Sequence, residues 1–134
     1  MILLSAASIQ AADVSVSSKW KNSLKPKGKV SSTITLANNN ITDYKIVISA
    51  NPTTMDEKAA ADLAKWLKEM TGAEFPIIKE GATTISYGKV ISIGNTILFN
   101  LSGIDKPKKD LSRDGYMISV KNNSIFILGG KKRG

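Results

Sequence analysis

Cysteine and histidine are both absent from this chain of 134 residues. Their absence excludes disulfides, cysteine nucleophiles and histidine bases, and it removes nearly every structural zinc arrangement. The sequence also lacks a dinucleotide fingerprint and a P-loop, because the lysines after Gly129-Gly130 are not followed by Ser or Thr. We therefore expect no cofactor and no metal site.

The residues that are present are typical of one globular domain. Apolar residues make up 42% and charged residues 22% of the sequence, which is ordinary for a folded domain of this length. The net charge is +8, and five of the lysines precede the first clear strand: Lys19, Lys21, Lys25, Lys27 and Lys29. Because this segment is rich in Lys, Ser and Pro with one Trp nearby, it indicates a solvated linker and not a nucleic-acid surface.

Residues 1–12 are apolar and rich in small residues. They have the character of the end of a secretory signal, with a cleavage site near Ala11 and Ala12, although the basic start is missing. A docked or disordered terminus is the alternative. We expect an exported protein, in the periplasm, at the cell surface or outside the cell, and no membrane span, because the apolar run is too short. The expected organisation is thus a signal over 1–12, a Lys-rich linker over 13–29 and a folded domain over 30–134.

A long helix over residues 54–70 is the strongest structural prediction. Its apolar residues recur at helical spacing and predict the core face: Ala60, Leu63, Ala64, Leu67 and Met70. Trp66 lies beside this stripe and is expected to cover an edge of the core.

Both ends of this helix carry the residues that caps require. Thr54 followed by Glu57 fits a capping box, in which each side chain accepts from the other residue's backbone amide. Gly72 is placed for a left-handed stop, and Pro76 prevents continuation.

Short apolar runs on both sides of the helix predict strands. Asparagines at 38–40 and at 122–123 predict turns, the second a two-residue hairpin. Residues 95–101 predict a helical turn capped by Asn95 or Thr96, and residues 102–113 a surface loop. The strands are expected at 30–37, with Ile34 and Leu36 on one face, and at 45–49, 74–78, 89–94, 116–121 and 124–128.

These elements predict an α+β fold (an α/β sandwich). We expect a mixed sheet of about five strands with one long helix across one face. One helix covers such a face only in part, and the last strand runs directly into Gly129-Gly130 and the basic residues 131–133. We therefore expect further chain downstream.

No pair of carboxylates in the sequence predicts a catalytic site. Glycoside hydrolysis requires two carboxyl groups about 5 to 10 Å apart, one with a raised pKa. The acidic residues here lie at the start of a helix, on its solvent side, or in a loop, and we assign them structural or surface roles: Asp56, Glu57, Asp62, Glu69, Asp110 and Asp114.

Tyr116 has two interpretations. In Asp114-Gly115-Tyr116 the tyrosine could stack on a sugar ring, or it could anchor by packing a strand that starts after a tight turn. We favour packing, because turn chemistry alone explains the triplet.

Six stretches, in this order, resemble the N-terminal accessory domain of secreted glycoside hydrolases. The resemblance is closest to the alpha-glucuronidase type and extends to the second domain of beta-N-acetylhexosaminidases. It covers roughly residues 30–134 and rests on Tyr44-Lys-Ile-Val-Ile, Ala59-Ala-Ala-Asp-Leu-Ala-Lys-Trp-Leu, Met70-Thr-Gly-Ala-Glu-Phe-Pro-Ile, Ile91-Ser-Ile-Gly-Asn-Thr, Asp114-Gly-Tyr-Met-Ile-Ser-Val and Ile125-Phe-Ile-Leu-Gly-Gly-Lys-Lys-Arg-Gly.

The resemblance implies a scaffold and not an active site. In such enzymes the glycine-rich end leads into a second helix, truncated here, and then into a TIM-barrel domain that holds the catalytic carboxylates. It implies that this chain is a non-catalytic fragment whose partner is that barrel, absent here, with a glycan as a further partner. Arg133 would then have a structural role at the domain boundary, and Tyr116 and Arg133 are the candidate carbohydrate or docking contacts. The alternative is a free-standing module that binds a polysaccharide or another anionic polymer through its lysines.

Overall fold

A computed structural model of the chain describes residues 32–81, 88–106, 111 and 115–130. Within these residues five strands form one mixed sheet with two helices, and this confirms the predicted α+β fold class. The elements are β1 (Lys45–Ile48), α1 (Thr54–Thr71), β2 (Ile77–Lys79), β3 (Val90–Ile93), α2 (Ile97–Leu101), β4 (Tyr116–Lys121) and β5 (Ser124–Gly129).

The sheet has the strand order β2-β1-β3-β5-β4. β1 pairs in parallel with β2 and β3, and β3 pairs in parallel with β5. β4 is antiparallel to β5 and forms one edge of the sheet. All four residues of β3 are buried, so the prediction that this strand is interior is confirmed.

Asparagines make the two predicted turns. Asn122 and Asn123 join β4 to β5 with φ angles of 51° and 58°, the left-handed pair that a two-residue hairpin of this twist requires. Asn39 and Asn40 have φ angles of 49° and 61°, in a turn closed by a bridge between Asn38 and Ile41.

The cap of α1 lies one residue earlier than the sequence predicted. Thr53 is the N-cap: its hydroxyl accepts from the Asp56 amide at 3.1 Å, and the Asp56 carboxylate accepts from the Thr53 amide at 3.1 Å. The Thr54–Glu57 box is therefore wrong, because Glu57 instead pairs with Lys79 on β2 at 2.8 Å. The stop is confirmed, since Gly72 is left-handed with a φ of 72°.

The core face of α1 is narrower than predicted. Ala60 and Leu67 are buried, and Leu63 and Ala64 are half-buried against the same cluster. Met70 is 72% exposed, so its predicted burial is wrong. Met70 shares the helical repeat of Leu63 and Leu67, but it lies in the last turn of α1, one residue before the helix ends.

The segment before β1 packs on the core without forming a strand. Residues 32–37 have no strand pairing, so over the described part of 30–37 the predicted strand is wrong. Ile34 and Leu36 nevertheless pack against the α1 side of the sheet. The Thr42 hydroxyl donates a hydrogen bond to the Leu36 carbonyl at 2.5 Å. This side-chain contact holds the segment where backbone pairing with a neighbouring strand would otherwise do so.

The two faces of the sheet carry separate apolar clusters. On the α1 face, Ile46, Ile48, Ile91 and Ile93 pack with Leu67 and other residues. On the opposite face, α2 packs through Leu98 and Phe99 onto Val47, Val90 and Phe126. Thr96 caps α2, as predicted, because its hydroxyl accepts from the Phe99 amide at 3.0 Å.

Candidate functional site

Tyr116 begins β4 at the edge of the sheet. It lies opposite Gly129 of β5 and is 70% exposed, so the expectation that it anchors the strand by packing is wrong. Its ring is available on the surface instead. Arg133, Asp110 and Asp114 lie outside the described residues.

Tyr116 belongs to an exposed row of apolar side chains on one face of the sheet. Ile118 lies opposite Ile127, and Val120 lies opposite Ile125; directly opposed residues share a face. Ile125 and Ile127 pack against the cluster beneath α1, so this row lies on the α1 face. Ile118 is 58% and Val120 54% exposed, which shows that no described element covers this part of the face.

A flank of α1 borders this row. Glu57 pairs with Lys79 on β2, so that flank of the helix faces the β2 edge. Trp66 lies nine residues further on, and at about 100° per residue its side chain points to the opposite flank, towards β5 and β4. Trp66 is 56% exposed, so it lies outside the buried core, and its packing over a core edge stays a prediction.

We call this surface the apolar strip. It is the row on β4 and β5 that is exposed or half-buried, made of Tyr116, Ile118, Val120, Ile125 and Ile127, and the helical repeat directs Trp66 and Met70 of α1 towards it. Apolar patches of this kind are typical of docking surfaces. Partial coverage of one sheet face was expected, but its location was not, because apolar residues on an alternating strand do not show which face a helix covers.

The carboxylates around α1 have structural contacts. Asp56 closes the capping box, and its Oδ1 lies 2.7 Å from where a Cβ on Gly94 would stand. Glu57 pairs with Lys79. Asp62 pairs with Lys58 at 3.6 Å within the helix, with both side chains largely exposed. The Glu57–Lys79 pair joins α1 to the sheet, the other two contacts lie within the helix, and each of these three carboxylates already has a partner.

Glu80 is the buried carboxylate that sequence reasoning missed. It is 6% exposed, and it accepts from the backbone amides of Ile97 at 2.8 Å and Leu98 at 3.0 Å. The carboxylate thus satisfies the first turn of α2, where unpaired amides and the helix dipole favour negative charge. The only sequence signal was an acidic residue directly after a strand, and its partners lie 17 and 18 residues away.

The carboxyl edge of β3 carries a second buried polar contact. The hydroxyls of Ser92 and Thr96 lie 2.5 Å apart, and both residues are buried. Among the described residues, no buried side-chain nitrogen or oxygen is without a hydrogen-bond partner. In α/β sheets this edge commonly holds ligands, but here its polar atoms are used by the caps of the two helices.

A small cavity lies between the end of α2 and the hairpin. Its volume is about 140 Å³, and it is lined by Leu101, Ser102, Lys121, Asn122 and Phe126. Small-molecule sites are usually about 300–1,000 Å³, so this cavity is too small for a sugar chain. Lys121 is the one charged residue that lines the cavity, and its ammonium group already donates to the Ser102 carbonyl at 2.5 Å.

Charged and phenolic groups at the amino edge of the sheet tie loops together. The Tyr44 hydroxyl donates to the Asn123 carbonyl at 2.9 Å, and burial raises the pKa of this phenol. Lys89 pairs with Asp43 at 2.5 Å. This hydrogen-bonded ion pair lowers the pKa of Asp43 and raises the pKa of Lys89. At neutral pH Asp43 and Lys89 are therefore charged and the Tyr44 phenol is neutral. This arrangement fits a structural role for all three groups.

The same residues contain neither a metal cluster nor a membrane-spanning helix. No cluster of three or more acidic side chains there is arranged to hold a metal ion. Across the described ranges, no helix is both long and apolar enough to cross a membrane.

The fold and the surface together define an α+β domain. It has an uncovered apolar strip, and the carboxylates described above form hydrogen bonds or ion pairs within the domain. The chain is 29% identical over 93 residues to an alpha-glucuronidase from Hypocrea jecorina. The matched region is 69% of this chain and 11% of that protein. No family model matches the chain. The similarity links the chain to glycoside hydrolases, and the chain spans about a tenth of the length of the curated relative.

Proposed function

We propose that this chain is a non-catalytic N-terminal domain of an exported glycoside hydrolase, in which it flanks a TIM-barrel catalytic domain. The observation that carries the proposal is the apolar strip, a surface of the kind that packs against protein. The chain is similar to a segment that makes up about a tenth of an alpha-glucuronidase. This similarity supports a larger hydrolase as the source of the chain. The apolar, small-residue start at 1–12 supports export.

The hydrogen bonds that the carboxylates of Glu80 and Asp56 accept from backbone amides support a non-catalytic role. A retaining or inverting glycosidase needs one acid with a raised pKa and a second carboxylate facing it. Glu80, the buried carboxylate, accepts from two backbone amides instead, and Asp56 accepts from a third. A domain built in this way contributes packing and orientation to a partner that performs the chemistry.

The charge pattern of the described residues does not favour a free-standing anion-binding module. Four lysines pair with acidic side chains, which reduces the net positive field of their faces: Lys58, Lys68, Lys79 and Lys89. Binding of the chain to immobilised heparin at low and high salt measures the remaining attraction. Strong retention that salt abolishes would favour the module.

The decisive experiment compares this chain with the complete polypeptide encoded by its natural gene, which the proposal requires to be longer. Both are purified and incubated with soluble oligosaccharides that carry alpha-linked glucuronic acid, and released reducing sugar is measured. We expect hydrolysis by the longer polypeptide and none by the 134-residue chain. Hydrolysis by the chain alone, or a longer polypeptide that cleaves no glycoside, would contradict the proposal.

A further inference from the structure

We infer that two copies of this chain associate through the outer edge of β4, whose backbone pairs in the antiparallel sense with β4 of the second copy. The two five-stranded sheets then become one continuous sheet. The inference goes beyond the proposed function and does not depend on it, because it concerns the edge of a strand and not a face that would pack against a catalytic domain.

Three residues of β4 direct their backbone groups to the open side of the sheet. The Gly130 amide donates to the Gly115 carbonyl at 2.7 Å, so this opposed pair is a hydrogen-bonded one. Hydrogen-bonded and non-hydrogen-bonded pairs alternate along an antiparallel ladder. The N–H and C=O groups of Tyr116, Ile118 and Val120 therefore point away from β5. Because β4 is the last strand in the sheet order, no strand among the described residues pairs with these groups.

The two edges of the sheet differ in the features that prevent pairing with another chain. Short edge strands, prolines, charged side chains and bulges are the usual means. β2 has three residues, directly follows Pro76 and ends at Lys79, which pairs with Glu57. β4 has six residues in an unbroken register with β5, contains no proline and carries one charge, Lys121 at its end. Pairing is therefore disfavoured at β2 and open at β4.

The edge of β4 is complementary to itself. A two-fold axis perpendicular to the sheet makes the two strands antiparallel and keeps the α1 faces of both copies on the same side. With the axis at Ile118, this residue lies opposite its own copy, and Tyr116 lies opposite Val120 of the second copy. All three outward-facing residues then form hydrogen-bonded pairs, and each pair exchanges two backbone bonds. A parallel arrangement would instead place the apolar strip of one copy beside the opposite sheet face of the other.

Side chains and charge agree with this register. Tyr116, Ile118 and Val120 are more than half exposed in the single copy, and aromatic and β-branched pairs across neighbouring strands stabilise a sheet. The two Lys121 side chains would lie six residues, or about 20 Å, apart along the strands. The described residues contain eight lysines and eight acidic residues, so the net charge of +8 is carried by the other segments of the chain.

The association closes at two copies. A contact about a two-fold axis uses the same surface of both subunits, so pairing occupies both β4 edges. The two ends of the joined sheet are then the β2 edges, where short length, Pro76 and Lys79 disfavour further pairing. The expected product is therefore a dimer and not a fibre.

Sedimentation equilibrium of the 134-residue chain, from low micromolar to near-millimolar concentration, tests the association. We expect the mass to rise from 14.4 kDa towards twice that value. Ile118→Pro removes an outward N–H without removing a bond to β5, a change that edge strands accept; this variant should keep the wild-type circular dichroism spectrum and stay monomeric. A wild-type chain that remains monomeric, a folded Ile118→Pro variant that dimerises equally, or assemblies that grow beyond two copies would overturn the inference.

The absence of cysteine makes the register testable by disulfide formation, which also decides the matter if Ile118→Pro does not fold. Ile118→Cys places two thiols opposite each other, where Cα atoms are about 5.5 Å apart, within the range of about 4.4–6.8 Å that disulfides span. Val120→Cys is the matched control, because Val120 has a similar exposure, 54% against 58%, and its copy lies four residues away, about 13 Å along the strands.

Both cysteine variants are oxidised with copper phenanthroline at near-millimolar concentration, and the covalent dimer is measured on non-reducing gels. Ile118→Cys should crosslink about 10-fold faster than Val120→Cys, because only its thiols lie within disulfide reach. Equal rates, or no covalent dimer from either variant, would overturn the inference. The hydrolysis assay is independent of these readouts, so the proposed function and this inference can fail separately.

Discussion

Replacing Glu80 with glutamine tests whether a buried carboxylate holds α2 against the sheet. Its two acceptor contacts, 2.8 Å to the Ile97 amide and 3.0 Å to the Leu98 amide, involve a charged group, and such bonds contribute about 1.5–3 kcal/mol each. Glutamine keeps one carbonyl oxygen but turns its NH₂ group towards one of the two amides. We therefore expect Glu80→Gln to lower the free energy of unfolding by about 1.5–3 kcal/mol.

Urea denaturation followed by far-UV circular dichroism measures this loss. With a denaturant dependence of about 1–3 kcal/mol per molar urea, the midpoint should fall by roughly 1 M. Glu74→Gln removes the same charge from a side chain that is 77% exposed and pairs with Lys68, and exposed pairs contribute only about 0–1 kcal/mol. Equal midpoints for the two variants would refute the role assigned to Glu80.

Three further predictions concern the core, a close backbone contact and an ion pair. Leu67→Ala should destabilise the chain by about 2–5 kcal/mol, whereas Met70→Ala, at an exposed position, should stay within about 0.5 kcal/mol; similar melting curves for both would contradict the assigned core face. Gly94→Ala should lower the melting temperature, because a Cβ would lie 2.7 Å from the capping carboxylate of α1 at a φ of 78°; an unchanged melting temperature would refute that contact. Asp43→Asn should lower the stability of the protein at pH 7. Because the pKa of Asp43 is lowered in the folded protein, the ion pair stabilises the fold above the unfolded-state pKa of Asp43, and this stabilisation is lost as the pH falls through the folded-state pKa. Because the pKa of Lys89 is raised, the stabilisation is also lost as the pH rises through the folded-state pKa of Lys89. The difference in urea midpoint between the variant and wild type should therefore be largest near neutral pH and shrink as the solution is made strongly acidic or strongly basic, and a constant difference would count against the pair.

Local sequence signals predicted the elements that are held by local contacts. The left-handed asparagines at 122–123, the stop at Gly72 and the cap at Thr96 each act within a few residues, and the structure has all three. The long helix was predicted for the same reason. Its cap was misplaced by one residue because both Thr53 and Thr54 are followed three positions later by an acid, and only the distant contact with Lys79 distinguishes them.

The position of the strip and the contacts of Glu80 could not be predicted because both depend on strand order. Met70 matches the helical repeat as well as Leu67 does, and its exposure follows from the side of the sheet on which α1 lies. Ile118 and Val120 alternate as buried strand residues do, and they are exposed because β4 is the edge strand beyond the reach of α1. Ile34 and Leu36 matched a strand pattern, but their segment has no partner strand.

Asp56 lies so close to Gly94 that an added Cβ would stand 2.7 Å from its Oδ1, which places the first turn of the long helix beside the residue that follows β3, 38 positions later. The capping box at the start of this helix is local, but it gains its close neighbour at Gly94 only when β3 has joined β1. Hydrogen exchange at the amides of that first turn then reports on the attachment of β3, and any substitution that loosens β3 accelerates exchange at the helix start while the middle of the helix stays protected.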